Sequence, residues 1–309
     1  MTYDSPARPG FAQRFGHYLS LIKFSHTVFA LPFAMVGFTL GVGARHSDMA
    51  GPAAGNQGLL LLFFQVLLCM IFARSAAMAF NRWLDRRYDA LNPRTAKREI
   101  PAGVIGAKSA LLFTILCCIA FMAVTATINR MVLALSPVAL GVILFYSYTK
   151  RFTALCHVVL GLGLSLSPIG AYLCLHPHFD LVPVLFSCIV LTWTAGFDII
   201  YALQDIEFDR SLKLHSIPAA LGLKGALTVS TLLHVLTAAL VVTAGIYGEF
   251  NFFYWIGAAI FTGLLLYQHL IVKPSDLSRV GIAFANTNGA ASIIFAVFTI
   301  TALCVHYFA

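Results

Sequence analysis

Residues 58–89 read GLLLLFFQVLLCMIFARSAAMAFNRWLDRRYD. From Gly58 to Phe80 a single charged side chain, Arg74, interrupts a run longer than the roughly 20 apolar residues that cross a hydrocarbon core. The run then gives way to Asn81-Arg82-Trp83-Leu84-Asp85-Arg86-Arg87-Tyr88-Asp89. This pattern predicts a membrane-spanning helix with polar chemistry at one mouth. Around it the chain is 60% hydrophobic and only 10% charged over 309 residues, with a mean hydropathy of +0.86, far from the composition of a soluble domain. Apolar runs of similar length recur, so nine spans are expected, at about 20–44, 58–82, 108–128, 130–149, 154–174, 181–204, 226–247, 251–272 and 281–307. Alternating barrel strands are absent from the pattern, and lipid forbids open sheet edges. The expected fold is an all-α polytopic membrane bundle, one integral-membrane domain over 1–309 that includes a polar N-terminal segment at 1–16.

The basic residues orient the bundle. Arg8 and Arg14 precede the first span, and Arg82, Arg86, Arg87, Arg94, Lys97, Arg98 and Lys108 follow the second. Lys150 and Arg151 follow the fourth, Arg210, Lys213 and Lys224 the sixth, and Lys273 and Arg279 the eighth. With nine spans all of these lie on one side, and the opposite loops hold little beyond Arg45 and Arg130. Positive residues concentrate on the cytoplasmic side, so the N-terminus is expected there, in a bacterial inner membrane. The same asymmetry accounts for the formal charge of +8 without a nucleic-acid partner.

The first fifteen residues are polar, and the first apolar run is too long for a signal-peptide core, so the first span is expected to be retained. The seven cysteines, Cys69, Cys117, Cys118, Cys156, Cys174, Cys188 and Cys304, show no metal-ligand spacing and read as small apolar side chains. His176-Pro177-His178, in an outer loop, reads as a turn with no carboxylate or cysteine partner nearby.

A second polar string, Asp198-Ile199-Ile200-Tyr201-Ala202-Leu203-Gln204-Asp205-Ile206-Glu207-Phe208-Asp209, closes the sixth span. Residues four apart share a helix face, so Asn81, Asp85 and Asp89 are expected to form one polar column, and Asp198, Tyr201, Asp205 and Asp209 another. Two facing oxygen-rich columns suit a hard cation such as Mg²⁺, which takes one or two carboxylates together with phosphate oxygens. Beside them, Arg94, Lys97, Arg98, Lys150 and Arg151 supply the opposite charge. A diphosphate, bridged to the acids by Mg²⁺ and held by the cations, satisfies both sets. A single charged run at a membrane boundary is usually a solvated helix end. Two with matching spacing on the same side, and Asp198 about 10 Å deeper, point to a site.

At these residues the chain resembles the UbiA superfamily of membrane-embedded prenyltransferases. The shared marks are N-x-x-x-D-x-x-x-D at Asn81–Asp89, D-x-x-Y-x-x-x-D-x-x-x-D at Asp198–Asp209, the loop with Arg94, Thr95 and Arg98, Pro101-x-Gly103, and Y-x-x-x-K from Tyr146 to Lys150. The resemblance implies a nine-helix bundle whose central cavity opens to the cytoplasm and binds polyprenyl diphosphate with two Mg²⁺ ions. Asn81, Asp85 and Asp89 would hold one ion, Asp205 and Asp209 the other, and Arg94, Arg98, Tyr146 and Lys150 the diphosphate. The family often carries Asp directly after the Asn, where this chain has Arg82. Phe24–Pro32, Gly196–Asp205 and His215–Pro218 look like the quinone-biosynthesis branch. An aromatic acid is then the implied acceptor, either 1,4-dihydroxy-6-naphthoate or 4-hydroxybenzoate, with another lipophilic acceptor as the alternative within the superfamily.

The implied reaction ionises the allylic diphosphate, attaches the cation to the aromatic ring and removes a ring proton. Asp198 and Tyr201 are placed to stabilise the cation or orient the acceptor, with Asp198 a possible proton acceptor and interhelical hydrogen bonding the plainer role. Arg74, on the face of Asn81, suits either an internal ion pair with Asp198 or an anchor for the acceptor carboxylate. Lys23 and His26 are further acceptor-binding candidates, with interhelical bonding the alternative for His26. Gly161, Gly163, Ser165 and Ser167 are expected to let the fifth span approach a neighbour closely. The 26 phenylalanines suit either a groove for an isoprenoid tail or ordinary packing. A transporter would set its polar groups near the midplane on broken helices, and the D-x-x-D-G-x-x-A-R string of CDP-alcohol phosphotransferases is missing.

Overall fold

The computed structural model describes residues 16–18, 20–21, 29–47 and 58–308. Its main helices are α1 (Leu31–Ser47), α2 (Leu59–Leu84), α3 (Arg86–Leu91), α4 (Ala107–Ala126), α5 (Arg130–Thr149), α6 (Cys156–Leu173), α7 (Leu181–Ala202), α8 (Ile206–Ser211), α9 (Ile217–Tyr247), α10 (Phe252–Ile271) and α11 (Asn288–Phe308). Eight described segments are long and apolar enough to cross a membrane, and α1, at 17 residues, is a ninth apolar helix in the place of the expected first span. The expected multi-pass helical bundle is therefore the observed one.

The helices form a ring of neighbours running α2, α4, α5, α6, α7, α9, α10, α11 and α1, with α1 also packed on α6. Leucine, valine and phenylalanine side chains such as Leu60, Leu112, Val138, Leu232 and Leu266 cover the outside, as lipid requires. On the inside, polar pairs join the helices of the second half. Trp193 Nε1 and Gln268 Nε2 both donate to Asn288 Oδ1, at 3.0 and 2.7 Å, and Ser230 Oγ donates to the Gly196 carbonyl at 2.7 Å. Such bonds hold spans together where water offers no competing partner.

One boundary moves. The helix expected to begin near 226 starts at Ile217. Ser216 caps it by accepting the Ala219 N–H at 3.2 Å, Pro218 sits in its first turn, and Gly222 takes φ 70° to turn the axis, a backbone region open to glycine at little cost. Cap, proline and kink together look like a loop in the sequence.

Packing divides the phenylalanines from the cavity. Phe33, Phe186, Phe261 and Phe295 cluster with Trp193 and Tyr254 in a buried core between α1, α7, α10 and α11. An apolar cavity of about 290 Å³ lies instead among α2, α4, α5 and α6, and Phe121 and Phe179 are the phenylalanines on its wall. Close approach of α6 to α7 makes the partition possible. A Cβ on Gly161 would stand 2.4 Å from the Leu191 carbonyl oxygen, while Gly163 has ordinary room beside Ile143. Gly161→Ala is expected to lower stability by about 1–3 kcal/mol through overpacking. A thermal unfolding midpoint in detergent equal to that of the unaltered protein would show that α6 and α7 separate freely.

Candidate active site

Both acidic strings leave the straight helix at their penultimate aspartate. Asp85 joins α2 to α3 with φ −88° and ψ 5°, and Asp205 joins a 3₁₀ turn, Leu203–Asp205, to α8 with φ −109° and ψ 9°. The expected uninterrupted columns are thus corrected to two broken ones. A straight helix would carry Asp89 and Asp209 about 6 Å further along the axis. The breaks leave them buried instead, Asp89 6% and Asp209 0% exposed.

The two strings share one chamber of about 220 Å³, at the end of the bundle where the basic loops lie. Asn81, Asp85 and Asp89 line one wall and Asp198, Tyr201 and Asp205 the other, with Arg94, Arg98, Tyr146, Lys150 and Arg151 between them. Every terminal carboxylate has a cation. Arg151 Nη2 lies 3.2 Å from Asp85 Oδ1, Arg98 Nη1 2.7 Å from Asp89 Oδ1, and Lys150 Nζ 2.7 Å from Asp209 Oδ1. Arg94 forks onto Asp205, with Nε donating to Oδ1 at 3.2 Å and Nη2 to Oδ2. Asp85, Asp89, Asp198 and Asp205 line the chamber with Arg94, Arg98, Lys150 and Arg151, while Asp209, expected as a metal ligand, is buried outside that lining against Lys150 and Ser216.

Local hydrogen bonds set these groups. Asn81 Nδ2 donates to Asp85 Oδ2 at 3.1 Å. Arg94 comes from the loop after α3, and its Nη1 also donates to the Tyr201 hydroxyl at 2.8 Å, while the Tyr201 ring stacks on Phe284 at 4.0 Å between centroids. The loop therefore straps one acidic string to the other. Arg82, standing where the family often has Asp, turns away to Glu99 at 3.6 Å and ties that loop to α2.

Burial and charge act in opposite directions here. Burial alone would lower the Lys150 ammonium, but the Asp209 and Asp205 carboxylates outweigh it and raise its pKa, so it stays charged. Arg94 is raised in the same way, with Tyr201 and Asp205 outweighing burial. The Asp85 carboxyl is pushed up by burial, and Arg151 holds it part of the way back.

Deeper in, Asp198 does not meet Arg74. Its Oδ2 lies 2.7 Å from Nδ1 of His157, a buried residue of the first turn of α6. Arg74 lines the apolar cavity instead and makes no ion pair among the described residues. Tyr146 and Leu160 line both spaces, so the polar chamber and the apolar cavity adjoin there. Tyr146 thus stands at the junction, lining the chamber with Arg94, Arg98 and Lys150 and the apolar cavity with Arg74. Lys23 and His26 lie outside the described residues. At the far end, His176 Nε2 meets Asp180 at 3.4 Å, correcting the expectation that the turn has no carboxylate partner. Asp180, also bonded by the Tyr172 hydroxyl, is one turn away in sequence. All seven cysteines are free.

Among the chamber residues that the sequence reading does not single out are Asn92, which donates to Asp205 Oδ1 at 3.3 Å, and His157, while Arg151 enters it only as one of the flanking cations. The signal for His157 is the one that marked Arg74, an ionisable group inside an apolar span. Asn92 carries no such signal.

Could a divalent ion fit? Asp89 Oδ2 is buried with no hydrogen-bond partner, an oxygen with spare capacity for a cation. Among the described residues no three His, Cys, Asp or Glu side chains converge as a cage. The donor set therefore fits an ion whose remaining ligands come with an oxyanion, and does not fit an all-protein site.

The sequence profile of the UbiA prenyltransferase family matches residues 30–290. This chain belongs to that family. Among UbiA relatives, the 4-hydroxybenzoate octaprenyltransferase of Sodalis glossinidius (strain morsitans) is 32% identical over 248 residues, covering 80% of this chain and 84% of the relative. That of Tolumonas auensis (strain DSM 9187 / NBRC 110442 / TA 4) is 29% identical, with 80% and 85% covered. The apo structure of a UbiA homolog from Aeropyrum pernix K1 superposes with a TM-score of 0.77 at 31% identity, over 89% of this chain and 97% of that one. The UbiA fold expected from the two acidic strings is the fold of this protein.

Proposed function

We propose that this UbiA-family enzyme transfers a polyprenyl group from polyprenyl diphosphate to an aromatic acid, 4-hydroxybenzoate as in its named relatives or 1,4-dihydroxy-6-naphthoate. One observation carries the reading: a charge-lined chamber adjoins an apolar cavity at Tyr146 and Leu160, which line both. That pair of spaces matches a molecule with a diphosphate head and a hydrocarbon tail. A UbiA homolog from Archaeoglobus fulgidus, alike in fold at 21% identity and a TM-score of 0.68, is bound to GPP and Mg²⁺.

Asn81, Asp85 and Asp89 on one wall and Asp205 on the other, with Asp209 buried behind Lys150, would hold Mg²⁺, which would supply Lewis-acid chemistry to the leaving diphosphate. Arg94, Arg98, Lys150 and Arg151 exchange their carboxylates for phosphate oxygens and stabilise the charge growing there as the allylic C–O bond breaks, its electron pair going to the diphosphate. The apolar cavity keeps water from the allylic cation. The ring carbon of the acceptor then bonds to the allylic carbon, and the displaced ring proton passes to Asp198, which His157 holds in position. The chain acts as a single domain over 1–309, with its basic loops and polar segment 1–16 on the cytoplasmic side of a bacterial inner membrane.

The test is incubation of the detergent-purified protein with polyprenyl diphosphate, Mg²⁺ and a panel of aromatic acids, read by mass spectrometry. Prenylated acid is the expected product, and its absence with every acceptor overturns the reading. His157→Ala is expected to lower kcat about 10- to 100-fold and to move the pH profile, with KM for the diphosphate unchanged. Equal effects on both constants and an unmoved profile would make His157 a packing residue alone.

A further inference from the structure

The last span departs from a plain helix at one place that the transfer reaction, as described, leaves unused. Just before α11, Ile282–Thr287 form a π-helical turn. Such turns are rare, and they recur at functional sites. Here side chains answer the carbonyls of the widened turn. Thr287 Oγ1 donates to the Ile282 carbonyl at 3.2 Å, and Asn288 Nδ2 donates to the Ala283 and Phe284 carbonyls, at 3.1 Å each. Asn288 is in turn fixed to α7 and α10, since Trp193 and Gln268 both donate to its Oδ1. The turn is therefore a built part of the bundle, held from two neighbouring helices.

What the turn carries toward the chamber is Phe284. Its ring stacks on Tyr201, with 4.0 Å between centroids and 27° between planes, and meets Phe29 and Phe197 edge to face at 5.5 and 5.6 Å. The Tyr201 hydroxyl takes the bond of the Arg94 guanidinium that does not go to Asp205. Nε and Nη2 fork onto the carboxylate, while Nη1 donates to the hydroxyl at 2.8 Å. When phosphate oxygens displace Asp205 from the fork, the Nη1 bond is free to persist. Arg94 comes from a loop and is partly exposed, so that bond keeps a long side chain aimed into the chamber.

We infer that the π-helical turn is a positioning device for the diphosphate site: Phe284 holds the ring of Tyr201, and the Tyr201 hydroxyl holds Arg94 in line for phosphate oxygens. Phe284 touches no reacting atom and acts through two other residues. A stacked aromatic face fixes the plane of the tyrosine ring, and with it the place of the hydroxyl. An aliphatic side chain of similar volume fills the space without fixing the plane.

This inference rests on the transfer reading, and its test separates the two. Binding of polyprenyl diphosphate with Mg²⁺ and no acceptor is measured by titration calorimetry for the unaltered protein, Phe284→Leu, Tyr201→Phe and the double variant. Phe284→Leu removes the stack, and Tyr201→Phe removes only the hydroxyl. Each is expected to weaken binding about 10-fold, the scale of one hydrogen bond to a charged group. The double variant is expected to be no weaker than either, because both changes break the same chain of contacts. Phe284→Tyr, which keeps an aromatic face, is expected to restore binding to within about twofold of the unaltered protein. A packing role alone would make Phe284→Leu equally costly with and without the hydroxyl, because Tyr201→Phe keeps the stacked ring. Such additive losses overturn the inference. So does unchanged binding by Tyr201→Phe, even where the Phe284 variants fail to fold. Diphosphate bound by the unaltered protein without transfer to any acid overturns the prenyltransferase reading alone.

Discussion

Replacing Asp85 or Asp205 by alanine is expected to lower kcat for prenyl transfer by about 10³-fold, the scale of losing a group that stabilises developing charge. The two residues sit on opposite walls of the chamber and each marks the break of its helix. Losing one removes a proposed metal ligand from that wall. It also frees a cation, Arg151 beside Asp85 or Arg94 beside Asp205, to bind diphosphate in an unproductive pose. The expected signature is a fall in kcat with the substrate still bound. Asp85→Asn and Asp205→Asn, which keep the shape and remove the charge, are expected to fall nearly as far. Chelation of divalent metal abolishes turnover of the unaltered protein, and Mg²⁺ restores it. Product formation followed by mass spectrometry decides the matter, and variants within tenfold of the unaltered rate would exclude these acids from the reaction.

The second large effect is expected at Lys150 and separates folding from chemistry. Asp209 is fully buried, accepting the Ser216 hydroxyl at 2.9 Å on Oδ2 and facing Lys150 on Oδ1. Lys150→Met strands that carboxylate and is expected to cost about 2 kcal/mol of stability, discounted because the lysine is partly exposed. Turnover is expected to fall about 10²-fold, since a cation is lost from the leaving group. Adding Asp209→Asn to Lys150→Met removes the stranded charge and is expected to recover the thermal midpoint while leaving activity low. A double variant that regains turnover with its stability would show that Lys150 serves only to neutralise Asp209.

Much of the candidate site is legible because helical spacing is rigid over two turns. Asn81 and Asp85, four residues apart, do hydrogen bond, and both strings do line one chamber. Spacing fails at the point where the helices break. Nothing in Trp83-Leu84-Asp85-Arg86 or Leu203-Gln204-Asp205-Ile206 is a proline or glycine, so the bends at Asp85 and Asp205 come from tertiary contacts: Arg151 on one acid, Arg94 and Asn92 on the other. Partnerships across helices are equally invisible. Arg74 and Asp198 share a suitable depth, yet His157 takes the aspartate because α6 and α7 touch through Gly161. The phenylalanines give no hint of which side of the bundle they occupy.

By itself, then, the sequence determined the class of the protein. Twenty-residue apolar runs leave only helices in lipid, basic loops cluster on one side of them, and acids at fixed spacing beside cations specify an oxyanion with a hard metal ion. These are local or compositional properties, and neighbours in space cannot change them. The tertiary structure decided which cation meets which acid, that the acidic helices break at Asp85 and Asp205, and that the chamber adjoins, at Tyr146, an apolar cavity lined by Arg74, which makes no ion pair among the described residues. Those outcomes depend on which helix faces pack together, and in lipid that choice rests on small residues and a few buried hydrogen bonds far apart in the chain.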